Sequence, residues 1–189
     1  MNYSLVCWPL LPLLLCITFE ITVCTFPDDP IFVVKKAPGE ELKNIVDILR
    51  KDYPEFYSLL EKSHSIEVIR NMNYVTILVP NWRAFRKMDS RTLRDIEQNP
   101  DALKRLVNGH IMQGRILSSQ LQELNNIPTL NIPVYIQKQG GTFYINYIAA
   151  NAPKIISLDI PAKNGIIHVI DRIIMPPTDR TISGYKNNK

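Results

Sequence analysis

The sequence predicts an α+β domain whose first half is mainly helical and whose second half is mainly strand. Three observations lead there. Apolar residues recur at helical spacing within residues 42–60 and 90–110, β-branched runs dominate after residue 131, and a Gly140-Gly141 turn joins two of those runs. With 46% hydrophobic and 21% charged residues, the 189-residue chain is neither disordered nor membrane-filling, and it can bury one sizeable core. Helices followed by strands imply an antiparallel, sandwich-like core with helices packed against it.

The opening residues carry an apolar stretch from Leu5 to Phe19, broken by Pro9 and Pro12 and closed by Glu20. A spanning helix needs about 20 apolar residues, so this stretch fits a secretory signal peptide over residues 1–24 better than a membrane span. The competing reading is an uncleaved signal anchor, because MNYS supplies only the amino terminus as positive charge. Cys7, Cys16 and Cys24 all fall in this leader, as does the sequon Asn2-Tyr3-Ser4. The expected mature chain therefore has no disulfide, no thiol nucleophile and no N-linked glycan, and it is extracellular with no membrane span. An N-terminal segment covers residues 25–41, the domain proper residues 42–177, and a polar tail residues 178–189. That tail has no lipid-anchor signal.

Within the domain, EELKNIVDILRKDY places Leu42, Ile45, Val46 and Leu49 on one helical face, and Phe56, Leu59 and Leu60 mark a second short helix. YVTILVP then reads as a buried strand stopped by Pro80. Ser90 is placed to cap a helix through Glu97, and Asn99 to cap another with Pro100 at its first position. The latter aligns Leu103, Leu106, Val107 and His110. IPVYIQK and TFYINYI form a hairpin across Gly140-Gly141, and KIISL and GIIHVIDRII follow, separated by Pro161 and an Asn164-Gly165 turn.

Catalytic chemistry finds little support. The serines lie in no strained glycine-flanked turn, and His168 and Asp171, three apart on a strand, point to opposite faces. His64, His110 and His168 are dispersed, with no metal-ligand spacing. The seven glycines form no phosphate-cradling loop, and nucleic-acid motifs are lacking. No enzyme activity, metal or cofactor is expected. His168 reads as a hydrogen-bonded core residue.

Charge is more informative. Removing the leader deletes Glu20 and no cation, leaving 22 basic residues against 17 acidic ones. Residues 83–115 hold eight basic side chains, among them Arg83, Arg86, Lys87, Arg91 and Arg94, against four acidic ones. This excess is either a solvated helix surface or a site for an acidic partner such as a sulfated glycosaminoglycan.

Three segments carry a resemblance. YVTILVPNWRAF (residues 74–85) resembles the first sequence box of fasciclin-like domains, SLDIPAKNGIIHVIDRIIMP (residues 157–176) is similar to the second, and LVNGHIMQGRIL (residues 106–117) resembles the central tyrosine-histidine segment. The resemblance implies a fasciclin-like wedge, a β-sandwich with helices packed on it. It further implies a non-enzymatic adhesion or matrix role, with a cell-surface receptor or extracellular-matrix protein as partner. The family's integrin-contact pair falls on Asp159-Ile160, where a carboxylate can reach a receptor-held cation and an Ile an apolar pocket. The alternative is that Asp159 caps a turn and Ile160 packs inward. In the central segment His110 matches but the tyrosine is replaced by Gly109, which leaves His110 a structural anchor. His168, Asn164, Gly165 and Asp171 complete the structural set.

Overall fold

The computed structural model describes residues 32–33, 41–121, 123–124, 126–146 and 151–175. The expected signal peptide and polar tail lie outside the described residues, as does most of the N-terminal segment.

The helices form where local chemistry satisfies their ends. Helix α1 (Ile45–Asp52) begins after Asn44, whose side chain accepts from the Val46 amide, and has Asp47 in its first turn and Arg50 and Lys51 in its last. It starts later than the apolar spacing implies, and Leu42 precedes it. Helix α2 (Pro54–Lys62) opens on a proline, where the missing N–H costs nothing. The short α3 (Ile66–Asn71) and α4 (Trp82–Lys87) flank β2 (Val75–Pro80). Helix α5 (Ser90–Gln98) is capped by Asp89 rather than Ser90, because Asp89 accepts from both the Thr92 amide and its hydroxyl. Helix α6 (Pro100–Asn108) is capped by Asn99, which accepts from the Asp101 and Ala102 amides at 3.1 Å each.

Strand β3 (Ile111–Gln113), helix α7 (Ser118–Leu121) and strands β4 (Asn126–Ile127), β5 (Val134–Gln139) and β6 (Thr142–Ile145) follow. The chain then forms the hairpin of β7 (Ile155–Ala162) and β8 (Gly165–Ile170). With β1 (Phe32–Val33), one sheet has the order β1-β7-β8-β2-β3, and a second the order β4-β5-β6. The expected antiparallel core is corrected here: β2 runs parallel to β8 over six residue pairs, and β1 runs parallel to β7. Both β2 and β8 are buried along their whole length, which suits central strands covered on two faces.

The sheets face each other, and the isolated bridges Met112–Thr129 and Tyr144–Lys154 join them along two edges. Alternation along β2 sends Val75, Ile77 and Val79 toward the helices, where they meet Ile45, Leu49, Phe56 and Leu106, while Leu78 joins Met112, Ile136 and Phe143 between the sheets. Helices, a mixed five-stranded sheet and a three-stranded sheet thus make three layers around two apolar interiors. The α+β class holds.

Candidate functional site

The β7–β8 hairpin gathers most of the residues singled out in the sequence. At its tip Asn164 is buried and uses its whole amide: Oδ1 accepts from the Ile45 amide at 2.9 Å, and Nδ2 donates to the carbonyls of Ile69 at 3.0 Å and Met72 at 3.3 Å. One side chain thereby satisfies the start of α1 and the end of α3. Gly165 pairs with Val75 in the parallel ladder, and a Cβ there would lie 2.0 Å from the Val75 carbonyl oxygen. Only glycine permits that approach.

Asp159 lies inside β7, at a bulge, rather than on a loop before the turn. Ser157 stands opposite Val169 and Ile160 opposite Ile167, so β7 inserts one extra residue where β8 has His168. Asp159 takes φ 57°, a left-handed conformation that aspartate tolerates better than most residues. The bulge turns its amide toward His168 Nδ1, 3.1 Å away. Its carboxylate accepts from the Ser118 amide at 2.8 Å and from the Ser118 hydroxyl. Ile160 packs, partly buried, against the helix-side core. The pair is half-buried, and the carboxylate is held at the start of α7.

Both core histidines are fully buried and bonded at both ring nitrogens. His168 donates from Nε2 to the Ile116 carbonyl at 2.9 Å and accepts at Nδ1 from Asp159, which fixes one tautomer. Burial pushes its pKa down, opposed by the Ile116 bond and the Asp159 charge. His110 has the opposite tautomer: Nδ1 donates to the Leu106 carbonyl at 2.8 Å, and Nε2 accepts from the Ile174 amide at 3.0 Å. Burial pushes its pKa down to about 4, the Leu106 bond opposing. The Phe56 ring leans on it at 5.4 Å. Neither imidazole has a free nitrogen for proton transfer.

Asp171 follows β8 and accepts from the Lys154 amide at 2.8 Å and from Lys87 Nζ at 3.0 Å. Lys87 is thus tied down, whereas Arg83, Arg86, Arg91 and Arg94 are exposed and form no ion pair among the described residues. Arg115, at the far end of the basic segment, donates to the carbonyls of Ala162 and Gly165 and serves the hairpin. No group of His, Cys, Asp and Glu among the described residues has metal-site geometry, and none of the described helices is long and apolar enough to cross a membrane.

Two residues escaped the sequence reading. Ser118 lies 41 positions from Asp159 and has no local signal. Trp82 did have one: an aromatic side chain with arginines one and four positions on, at the start of a helix.

The Fasciclin domain family model matches residues 51–176. Among curated proteins, the chain is 24% identical to protein sll1483 of Synechocystis over 77% of this chain and 80% of that protein. It is 31% identical to pig transforming growth factor-beta-induced protein ig-h3 over 57% of this chain, but spans only 15% of that protein. Human periostin matches at 24% identity over 71% of this chain and 16% of its own length. Among solved structures, a FAS1 domain pair from the insect cell adhesion molecule fasciclin I superposes with a TM-score of 0.55 at 20% identity, covering 71% of this chain and 51% of that one.

Proposed function

The chain belongs to the fasciclin domain family, and on that premise we propose that it is a secreted, non-enzymatic adhesion or matrix protein that binds a cell-surface receptor or an extracellular-matrix component. The observation that carries this reading is the use of the histidines. All four ring nitrogens of His110 and His168 are engaged in internal bonds, which favours a scaffold that presents surfaces over a site that moves protons. The adhesion molecule from which the superposing FAS1 pair comes supports the same direction.

The proposed receptor contact is Asp159-Ile160, with an integrin as the receptor class. The bulge fixes the pair in one conformation, and a receptor-held cation would have to take the carboxylate from Ser118. Cells plated on the purified full-length chain should attach, and Asp159→Ala, with its fold verified by circular dichroism, should reduce attachment. Ser118→Ala keeps the carboxylate and removes its hydroxyl bond while the backbone amide bond stays, so attachment should be retained or increased. Equal attachment to folded Asp159→Ala and to the parent would sink the contact.

A second reading is favoured by the exposed arginines of α4 and α5. Through Arg83, Arg86, Lys87, Arg91 and Arg94 the module would recognise a sulfated glycosaminoglycan, with a strong dependence on salt.

A further inference from the structure

Trp82 opens α4 and remains 50% exposed. Two guanidinium groups lie over its ring, with Arg83 Cζ at 5.2 Å and Arg86 Cζ at 5.7 Å from the centroid. The negative face of an indole attracts cations, so Trp82 restrains two long side chains that would otherwise sample many rotamers. The helix beneath them is itself fixed. Asn81 caps it by accepting from the Ala84 amide at 2.8 Å, Ala84 is buried, and Lys87 at the other end is tied to Asp171.

A restrained guanidinium is a better anion receptor than a mobile one, because less freedom is lost when its parallel N–H groups engage two oxygens of a sulfate or carboxylate. Beside Trp82 lies a groove of about 250 Å³ whose wall includes Asp52 and Glu55. Like charge disfavours an anion in that groove, which directs it to the arginine side of the ring. From there Arg91 and Arg94 continue the positive charge onto α5. Between Trp82 and Arg94 five basic residues face one acidic one, Asp89, and Asp89 is engaged in capping α5.

We propose that Trp82, Arg83 and Arg86 form the docking point for a sulfated polysaccharide, with Arg91 and Arg94 extending the contact along α5. This rests on the polyanion reading above and narrows it. Trp82 becomes a positioning residue that contributes without carrying charge, and Lys87 an anchor. The complementarity is of charge: exposed cations on two successive helices face a linear chain of repeated sulfates.

Full-length protein carrying Trp8→Phe has Trp82 as its only tryptophan, so heparin titration can be followed by that residue's fluorescence. Heparin should shift the emission. Arg83→Ala/Arg86→Ala should weaken binding about tenfold and reduce its salt dependence, since fewer cations are neutralised. In parallel chromatography on immobilised heparin, Trp82→Ala should weaken binding about fivefold without removing a charge, and Trp82→Phe should recover part of the loss. Lys104→Ala/Arg105→Ala on α6 should change binding less than twofold. Heparin binding that is indifferent to Trp82, Arg83 and Arg86 would overturn the docking point and leave the polyanion reading standing. No retention on heparin at about 0.15 M salt would overturn both. Tighter binding to poly-glutamate or to phosphatidylserine vesicles than to heparin would overturn the polysaccharide in favour of an acidic protein or an anionic membrane.

Discussion

Gly165→Ala adds one methyl group and should be among the most damaging single changes in the domain. The new Cβ would stand 2.0 Å from the Val75 carbonyl oxygen and 3.0 Å from its carbonyl carbon, well inside contact distance. Neither atom can rotate away, because both belong to the backbone of β2, an interior strand. The two strands must part where their parallel ladder begins, and the Val75 amide then loses the Asn164 carbonyl at 3.2 Å. An unsatisfied buried donor costs about 1–3 kcal/mol, and forcing volume into a packed interior a further ~1–3 kcal/mol. A loss of about 2–6 kcal/mol is therefore expected, a large share of the ~5–15 kcal/mol that holds a typical domain together.

Urea unfolding followed by far-ultraviolet circular dichroism measures this, and a loss of that size moves the midpoint by about 2 M. Gly109→Ala is the internal control. Gly109 has φ −67°, accessible to alanine, and its added Cβ would meet the Leu106 carbonyl oxygen at 3.3 Å. Its effect should stay within about 1 kcal/mol of either sign, because reduced freedom of the unfolded chain opposes the tight contact. If Gly165→Ala unfolds within about 0.5 kcal/mol of the parent, the steric argument is refuted.

Asn164→Ala should lose about 2–4 kcal/mol in the same assay, since it leaves the buried Ile45 amide unpaired and removes donors from the Ile69 and Met72 carbonyls. Acid should destabilise the fold through His110. Between its ordinary pKa of 6.5 and the folded value of about 4 the unfolded chain takes up a proton that the native state refuses, so the contribution is complete above pH 6.5 and lost as pH falls toward 4. The total is about 3 kcal/mol, and unfolding midpoints measured from pH 7.5 to 4 should show the slope, with His168 acting in the same direction. Lys87→Ala should cost about 1 kcal/mol or less, because its ion pair with Asp171 is partly exposed, and thermal melts with and without 0.5 M salt should show most of that difference disappearing.

Legibility followed locality. The hairpins, the Asn99-Pro100 helix start and the buried character of β2 and β8 are written in short runs, because each depends on turn chemistry or on the period of one element. The parallel pairing of β2 with β8 was not legible. It joins segments that the remaining helices and a whole second sheet separate, and parallel register has no hairpin to announce it. The bulge at Asp159 escaped for a related reason. Nothing in SLDIPA marks the extra residue, and it becomes visible only when Ser157 and Ile160 are counted against Val169 and Ile167. The short helices α3, α4 and α7 span too few turns for apolar periodicity to accumulate.

The two candidate surfaces depend on the β7–β8 hairpin to different degrees, which bears on how variants should be combined. Asp159 is part of the hairpin's own strain and bonding: its left-handed backbone is held by His168, and its carboxylate by Ser118. Removing that carboxylate alters both the presented surface and the fixation of α7, so a binding loss in Asp159→Ala alone mixes two effects. The arginine ridge meets the end of the hairpin through the Lys87–Asp171 pair and through the Asn81 amide, which donates to the Ile170 carbonyl at 3.0 Å, while Trp82 interacts with Arg83 and Arg86 on α4. Changes at Arg83 and Arg86 should therefore add independently to those at Asp159, since the sites share no partner. Coupling above about 0.5 kcal/mol between Asp159→Ala and Arg83→Ala in unfolding free energy would show that the hairpin transmits strain to α4, and that the two surfaces act as one.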